Sequence, residues 1–552
     1  MMRSMKKTAA LALAVISVAS MASCGAGEKN SDPNTLKVMV TDAGFGLEWA
    51  YAIAEEFESL YNVTVEVTPT AESTNELIKV EQGLNNSDVF FCATANAVWN
   101  TMRKRKMLNI NDVWNSKASE EEELTIKEKA LSEYAEAYCM IDGNYYSLPF
   151  ILEVGTLGYN ANTLNSVFGA GNWELPRTTI ELTAMCEDIR EAGCYGFSWS
   201  SGQNACYWGL VMDVWEAQYD GAEIYNHARQ AEYYDTESNS WKIDPTGEII
   251  VGRLGKLRAC EAAYEYVNKC TFKEDSSYIG GYSHQYCTSM TFIQSQTAFA
   301  SGGYGEADKR KVAFVPTGSW LFEESKAQID QYALGQVGCM STPIISSLSE
   351  QLSYYGDRGE FNKLSATEQE KLDKALVSII DYVDGKTEEK PTTVEGFVIT
   401  EADIERVRAA RGVAFLKDQA HAFIPAAAGN PDLAKKFLRF FCSDYAGSIY
   451  STVTHGFSPF YVKVDETNKF LNGFDKTIAD IVTRSDGKVL PWSRLGVNIK
   501  TPNVEGNFFT PSTSQYGTPE LFYNQYRNSN LQEVNGKSVW QTMLEAAGLK
   551  LL

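Results

Sequence analysis

The residues with chemical reach in this chain are carboxylates and flat aromatic rings set in apolar or turn-forming stretches. Glu153 is the single acid of the run YYSLPFILEVGTLGYN, which spans Tyr145 to Asn160. Because unpaired burial of a carboxylate is costly, Glu153 is either an acid at a strand end, facing water or a Lys or Arg, or an acceptor turned toward a cleft. Asp42 and Phe45 share the turn Asp42-Ala43-Gly44-Phe45-Gly46, where a helix cap and a core plug compete with ligand contact. Asn96 closes Cys92-Ala93-Thr94-Ala95-Asn96, and Gln203 and Tyr207 lie in a polar, aromatic-loaded loop from Ser200 to Trp208. In Thr317-Gly318-Ser319-Trp320 the glycine lets the backbone turn tightly and sets a large aromatic plate beyond a strand end.

None of this has the grammar of a catalyst. The sequence contains no GxSxG elbow, HExxH pair, Walker loop or dinucleotide GxGxxG, and its only histidines are His227, His284, His421 and His455. Paired carboxylates for glycoside hydrolysis stay open, because their separation is set in space. With 71 acidic residues, chance pairs are assured. The balance points to binding without turnover, and no cofactor or metal is expected.

The elements that must carry these residues are legible in part. Leu36, Val38 and Val40 alternate, as do Val63, Val65 and Val67, and between them Leu47, Ala50, Ala54, Phe57 and Leu60 form a helical stripe. Strand, helix and strand in this order begin a parallel sheet, and the 42–46 turn lies at the carboxyl edge where open α/β sheets place ligands. Asp88 to Phe91 restarts a strand that delivers Asn96 to the same edge. Tyr145–Asn160 reads as a buried strand and the first crossing of a hinge, with Gly335–Ile344 a second candidate crossing. Thr178 and Glu181 open a capped helix closed by Gly193, and Asn430-Pro431-Asp432 starts another. Residues 220–285, 350–415 and the tail beyond 460 have no assigned role.

At 552 residues, 44% hydrophobic and 22% charged, the chain is long enough for at least two lobes. A net charge of −22 argues against nucleic acid and anionic membrane surfaces as partners. Arg3, Lys6 and Lys7 precede an apolar stretch from Ala9 to Met21, the layout of a secretory signal, which runs into Met21-Ala22-Ser23-Cys24-Gly25. This resembles a bacterial lipobox, with Met where Leu is usual, and implies diacylation of Cys24. Eleven cysteines, with Cys24 set aside, leave an even number that permits disulfides or buried free thiols.

In their order, the lipobox, LKVMVTDAGFGLEWAYAIAEEFESLYNVTVEV, DVFFCATANAVWNTMRKRKMLNINDVW, YSLPFILEVGTLGYN, ELPRTTIELTAMCEDIREAG, VAFVPTGSWLFEE and HAFIPAAAGNPDLAKKFLRFFCSDYAGSIY, followed by HGFSP, resemble the family 1 extracellular solute-binding proteins, the maltose-binding-protein-like receptors of ABC importers. The resemblance implies an α/β, two-lobed periplasmic-binding-protein type II fold with a hinge. Its divisions would be a signal peptide at 1–23, a lipidated tether at 24–35, a first lobe from 36–150 and 336–455, and a second lobe from 151–335 and 456–552 with the C-terminal tail. It implies that Asp42, Phe45, Asn96, Glu153, Gln203, Tyr207 and Trp320 contact a carbohydrate, an oligosaccharide given the chain length, held in an interlobe cleft. The receptor would be a monomer on the extracytoplasmic face of the cell membrane, tethered by lipid, delivering its sugar to membrane-embedded permease subunits. A receptor of the same fold for a peptide or polyamine, and a secreted glycoside-acting enzyme, are the alternatives. Trp320 and Glu153 would then be removable at little cost to the ligand-free fold.

Overall fold

The computed structural model describes residues 32–42, 44–130, 139–200, 206–305, 308–333, 336–456, 458–460, 473–484, 487–489, 518–546 and 549. Along the chain, β1 (Thr35–Thr41), α1 (Glu48–Tyr61), β2 (Thr64–Thr70), α2 (Ser73–Gln82), β3 (Val89–Cys92) and α3 (Ala95–Arg103) lead to the long strand β4 (Leu148–Asn160). Next come α4 (Thr179–Glu191), β5 (Tyr195–Phe197), α5 (Cys206–Asp220), α6 (Leu254–Val267), β6 (Val312–Gly318) and β7 (Val337–Met340). The last stretch holds α7 (Ala366–Val383), α8 (Glu401–Arg411), β8 (Val413–Phe423), α9 (Pro431–Phe441), α10 (Pro519–Leu531) and α11 (Val539–Ala546).

Contacts divide the chain into two compact units. The first holds the described residues of Met1–Ile151, Gln419–Tyr450 and Ser458–Lys463, and the second those of Leu152–Asp418, Ser451–Phe457 and Val464–Leu552. The chain passes from one to the other inside β4 and again inside β8.

In the first unit β1 pairs in parallel with β2 (Val38 opposite Val67) and with β3 (Val38 opposite Val89), while β8 runs antiparallel to β3 with His421 opposite Cys92. The helix between β1 and β2 forms because its apolar positions recur at helical spacing. Trp49, Ala50, Ile53, Ala54 and Phe57 are buried, and Asn62 ends it in the left-handed conformation. Leu60, counted in the stripe from sequence, is 56% exposed: it shares the face of Trp49 but lies in the last turn, beyond the buried stretch that ends at Phe57. Trp49 is the centre of this core, with ring centroids of Phe91, Tyr450, Phe150 and Phe441 at 5.3, 5.4, 5.8 and 6.0 Å.

In the second unit β4 is flanked on both sides. β6 pairs antiparallel with it from Phe314 opposite Tyr159 to Gly318 opposite Gly155, and β7 does so from Val337 opposite Asn160 to Met340 opposite Leu157. β5 adds in parallel to β6. Residues 336–418, placed with the first lobe in the sequence reading, therefore cluster with the second unit. The physical reason is their apolar stripes: Leu372, Leu376 and Ile379 of α7 and Ile404 and Val407 of α8 share one buried core with Trp208, Trp215 and Tyr266.

The 220–285 insertion and the tail have a joint structural role. Tyr523, Tyr526, Trp540 and Leu544 of α10 and α11 share a core with Ala228, Ile250 and Val251. The Trp540 indole N–H donates to the Asp244 carbonyl at 2.7 Å, and its ring lies against Gly247, where a Cβ would fall 2.6 Å away. Arg253 pairs with Glu216 and, at 3.1 Å, with Asp220, and Lys256 reaches Glu216 at 3.0 Å. Each buried charge there has an opposite partner, the condition for tolerating charges out of water.

Candidate functional site

Two of the sequence-selected residues, Tyr207 and Trp320, meet in the second unit, and a third, Glu153, lies on the strand paired with the one that leads to Trp320. Glu153 lies on β4, half-buried, two residues before Gly155. Trp320 follows β6 by two residues and opens the short helix Leu321–Glu324. The antiparallel register Gly318 opposite Gly155 sets these two continuations side by side. Tyr207, half-buried, sits in the first turn of α5, and its ring centroid is 5.5 Å from that of Trp320 with the planes tilted by 40°.

Two missing side chains make the arrangement possible. A Cβ at Gly318 would strike the Trp320 ring and the Val154 carbonyl, so the indole folds back over its own strand. A Cβ at Gly155 would come within 2.8 Å of Phe415 and 3.0 Å of Leu210, and Leu210 is one helical turn beyond Tyr207 on α5. Close approach of backbone is the use of glycine here. Between the two, Ser319 is fully buried: its N–H donates to the Val154 carbonyl at 2.9 Å and its Oγ accepts the Val154 N–H at 3.1 Å. Nearby, the Phe322 ring lies 4.7 Å from that of His455, whose Nε2 is 3.8 Å from a Glu323 carboxylate oxygen.

Trp320 is only 5% exposed, so the expectation that it can be truncated freely does not hold. Tyr207 and Glu153 are both half-buried, with one Glu153 carboxylate oxygen out of reach of solvent, and Trp320 backs Tyr207. Tyr207 also differs from its sequence reading in being helical rather than in a loop. The segment CYWGLVMDVWEAQYD is buried around most of its circumference, which removes the one-sided periodicity by which a helix is read. Ser319 was not selected from sequence, since a serine beside a glycine in a turn signals nothing beyond the turn.

In the first unit, Asp42 directly follows β1, is exposed, and its N–H donates to the Thr70 carbonyl at 2.9 Å. Phe45 is buried in that unit's core at 4% exposure, and Asn96 is the second residue of α3. Gln203 and Cys24 lie outside the described residues. A cavity of about 660 Å³ opens elsewhere in the second unit, between α4 and α6, walled by Glu187, Arg258, Glu261 and Tyr282; Glu153, Tyr207 and Trp320 do not line it. Among the described residues no group of three or more His, Cys, Asp or Glu is set to hold a metal, and no helix is long and apolar enough to cross a membrane.

A pair of tilted aromatic rings with a carboxylate on the adjoining strand, in an α/β unit entered and left by long strands, suits a receptor that holds a small polar solute. The comparisons agree with that class. The model of the family described as bacterial extracellular solute-binding protein matches residues 52–472, and this chain belongs to that family. No curated protein matches. Among solved structures the chain is similar to RafE in complex with raffinose, with 12% identity, TM-score 0.56, and coverage of 92% of this chain and 99% of that one. The apo-form of RafE from Streptococcus pneumoniae gives 12% identity, TM-score 0.56, and coverage of 92% and 98%. The GacH receptor of Streptomyces glaucescens, solved unliganded and with acarbose, gives 16% identity, TM-score 0.51, and coverage of 90% and 97%. These likenesses establish the fold of a periplasmic-binding-protein type II receptor, and the family is one of binding proteins.

Proposed function

We propose that this solute-binding protein is a lipid-anchored extracytoplasmic receptor for a carbohydrate, an oligosaccharide by preference, which it hands to the permease of an ABC importer. The observation that carries the reading is the Tyr207–Trp320 pair beside Glu153. A pyranose presents an apolar face of C–H groups and a rim of hydroxyls. The half-buried Tyr207 ring takes the first, and the Glu153 carboxylate accepts from the second. Asp42, Phe45, Asn96 and Gln203 are the further contacts proposed, with Phe45 acting from within its core. The ligands of the structural neighbours, raffinose for RafE and acarbose for GacH, support the same class of solute, as does the preference of the solute receptor AcbH for β-D-galactopyranose. Cys24 of the lipobox would carry the acyl chains that hold the monomer at the membrane.

The test is a thermal-shift panel of raffinose, maltotriose, acarbose and galactose, run beside an assay for released reducing ends. A receptor is stabilised by RT ln(1 + [L]/Kd) without product. Release of reducing ends would make the protein a glycoside-acting enzyme. A shift with polyamines or peptides and none with sugars would move the solute class.

A further inference from the structure

We infer that Ser319 is the positioning residue of this site: its backbone N–H and its hydroxyl together clamp Val154, and the clamp fixes the angle at which Trp320 and Tyr207 meet Glu153. The inference rests on the carbohydrate reading of those three residues. Regular pairing of β6 with β4 ends at Gly318 opposite Gly155. One residue later the chain must leave the sheet, because Trp320 already has helical backbone angles, φ −77° and ψ −13°. At such a strand end the N–H of the partner strand loses the carbonyl that would have accepted it. Here the Ser319 hydroxyl stands in, taking the Val154 N–H at 3.1 Å while the Ser319 N–H extends the ladder to the Val154 carbonyl at 2.9 Å.

Ser319 is fully buried, so water does not stand ready to replace its Oγ, and an unsatisfied backbone N–H in that place is costly. The residue held is the immediate neighbour of Glu153, and the residue doing the holding is the immediate neighbour of Trp320. Gly318 supplies the floor under the indole and Tyr207 the opposite wall. With the floor and wall in place, the remaining freedom of the ring is a hinge-like swing of the turn, and that swing is what the two Ser319 hydrogen bonds remove. Ser319 itself offers nothing to a ligand. It acts through its neighbours.

The experiment compares Ser319→Ala with Ile379→Val, a mild truncation on α7, which carries none of the three residues, using raffinose and maltotriose in isothermal titration. Ser319→Ala is expected to weaken the sugar that binds by about tenfold, the equivalent of one buried hydrogen bond, whereas Ile379→Val leaves affinity unchanged despite its own loss of stability. A second measurement needs no ligand. The near-UV circular dichroism difference between the protein and its Trp320→Phe variant reports the fixed Trp320–Tyr207 geometry, and it is expected to shrink when both carry Ser319→Ala. The inference is overturned if Ser319→Ala binds as the parent while Tyr207→Ala loses binding, or if the Trp320 difference spectrum is the same in both backgrounds. If Tyr207→Ala and Glu153→Gln bind both sugars unchanged, the carbohydrate reading falls instead, and the ligand-free spectra still decide for or against Ser319.

Discussion

Truncating the aromatic pair one ring at a time separates its support of the fold from its contact with solute. Trp320 is 5% exposed, and its ring fills the space above Gly318 and against Tyr207. Replacing a buried Trp by Ala costs about 3–5 kcal/mol, of which the aromatic pairing accounts for about 0.5–1.5 kcal/mol. Tyr207 is half-buried, so Tyr207→Ala forfeits the pairing and part of its own apolar surface, about 1–2 kcal/mol in all. In ligand-free protein the order of denaturant midpoints is therefore parent, then Tyr207→Ala, then Trp320→Ala well below both, followed by far-UV circular dichroism. In sugar titrations under conditions where all three are folded, the order of loss is less steep, because Tyr207 presents the open face and Trp320 acts by backing it. A Trp320→Ala midpoint equal to that of the parent, or a Tyr207→Ala midpoint below that of Trp320→Ala, would refute the assignment of Trp320 as the buried member of the pair.

Glu153→Gln keeps size and shape but removes the charge; it is expected to leave the ligand-free midpoint unchanged and to weaken sugar binding by about tenfold, the scale of a hydrogen bond to a charged acceptor, read by titration. His421 lies wholly buried beside Ser147 Oγ at 3.2 Å, and burial pushes its pKa down to about 4. A folded pKa below the unfolded value means that the stability held above about pH 6.5 is lost as pH falls toward 4, by about 3 kcal/mol from this group; denaturation at several pH values should show a shallower acid slope in His421→Gln than in the parent. Among the described residues nine cysteines, from Cys92 to Cys442, are buried thiols in no disulfide. Burial raises Cys92 to about 11 and Cys287 to about 12, so a thiol reagent should label these groups only after denaturation, and reductant should not move the melting point.

Where local pattern and tertiary environment agree, the sequence is readable. Alternation in β1 and β2 and the stripe of α1 follow from one face meeting one core, and the turn that carries Trp320 is announced by its glycine. Where a segment's partners lie far along the chain, nothing local distinguishes the outcomes. The residues of β7 form a buried strand in either unit, and only their pairing with Leu157–Asn160 decides which. The helix bearing Tyr207 is hard to read because burial of Val214 and Ala217 extends the face of Trp208, Val211, Trp215 and Tyr219 around most of the girth, which flattens the pattern. Glu153 was legible as an anomaly, one acid in an apolar run, and its neighbours Trp320 and Ser319 became visible only through the register of Gly155 with Gly318. The sequence offers Gly335–Ile344 as a crossing, whereas the contacts keep the chain in the second unit up to Asp418.

The docking of Trp540 bears on how this protein can be shortened or tagged. Asp244 caps the turn at Gly247 with its carboxylate, accepting from the N–H groups of Gly247 at 2.8 Å and Ile249 at 2.9 Å, while its carbonyl holds the indole. A deletion that stops short of residue 540 would leave a tryptophan-sized void over a glycine that has no side chain to fill it. It would also uncover the greasy flank of α6's neighbours 250 and 251. Truncation from the carboxyl side should therefore spare residue 540, and a protease that nibbles from that side should halt once it reaches this anchored ring.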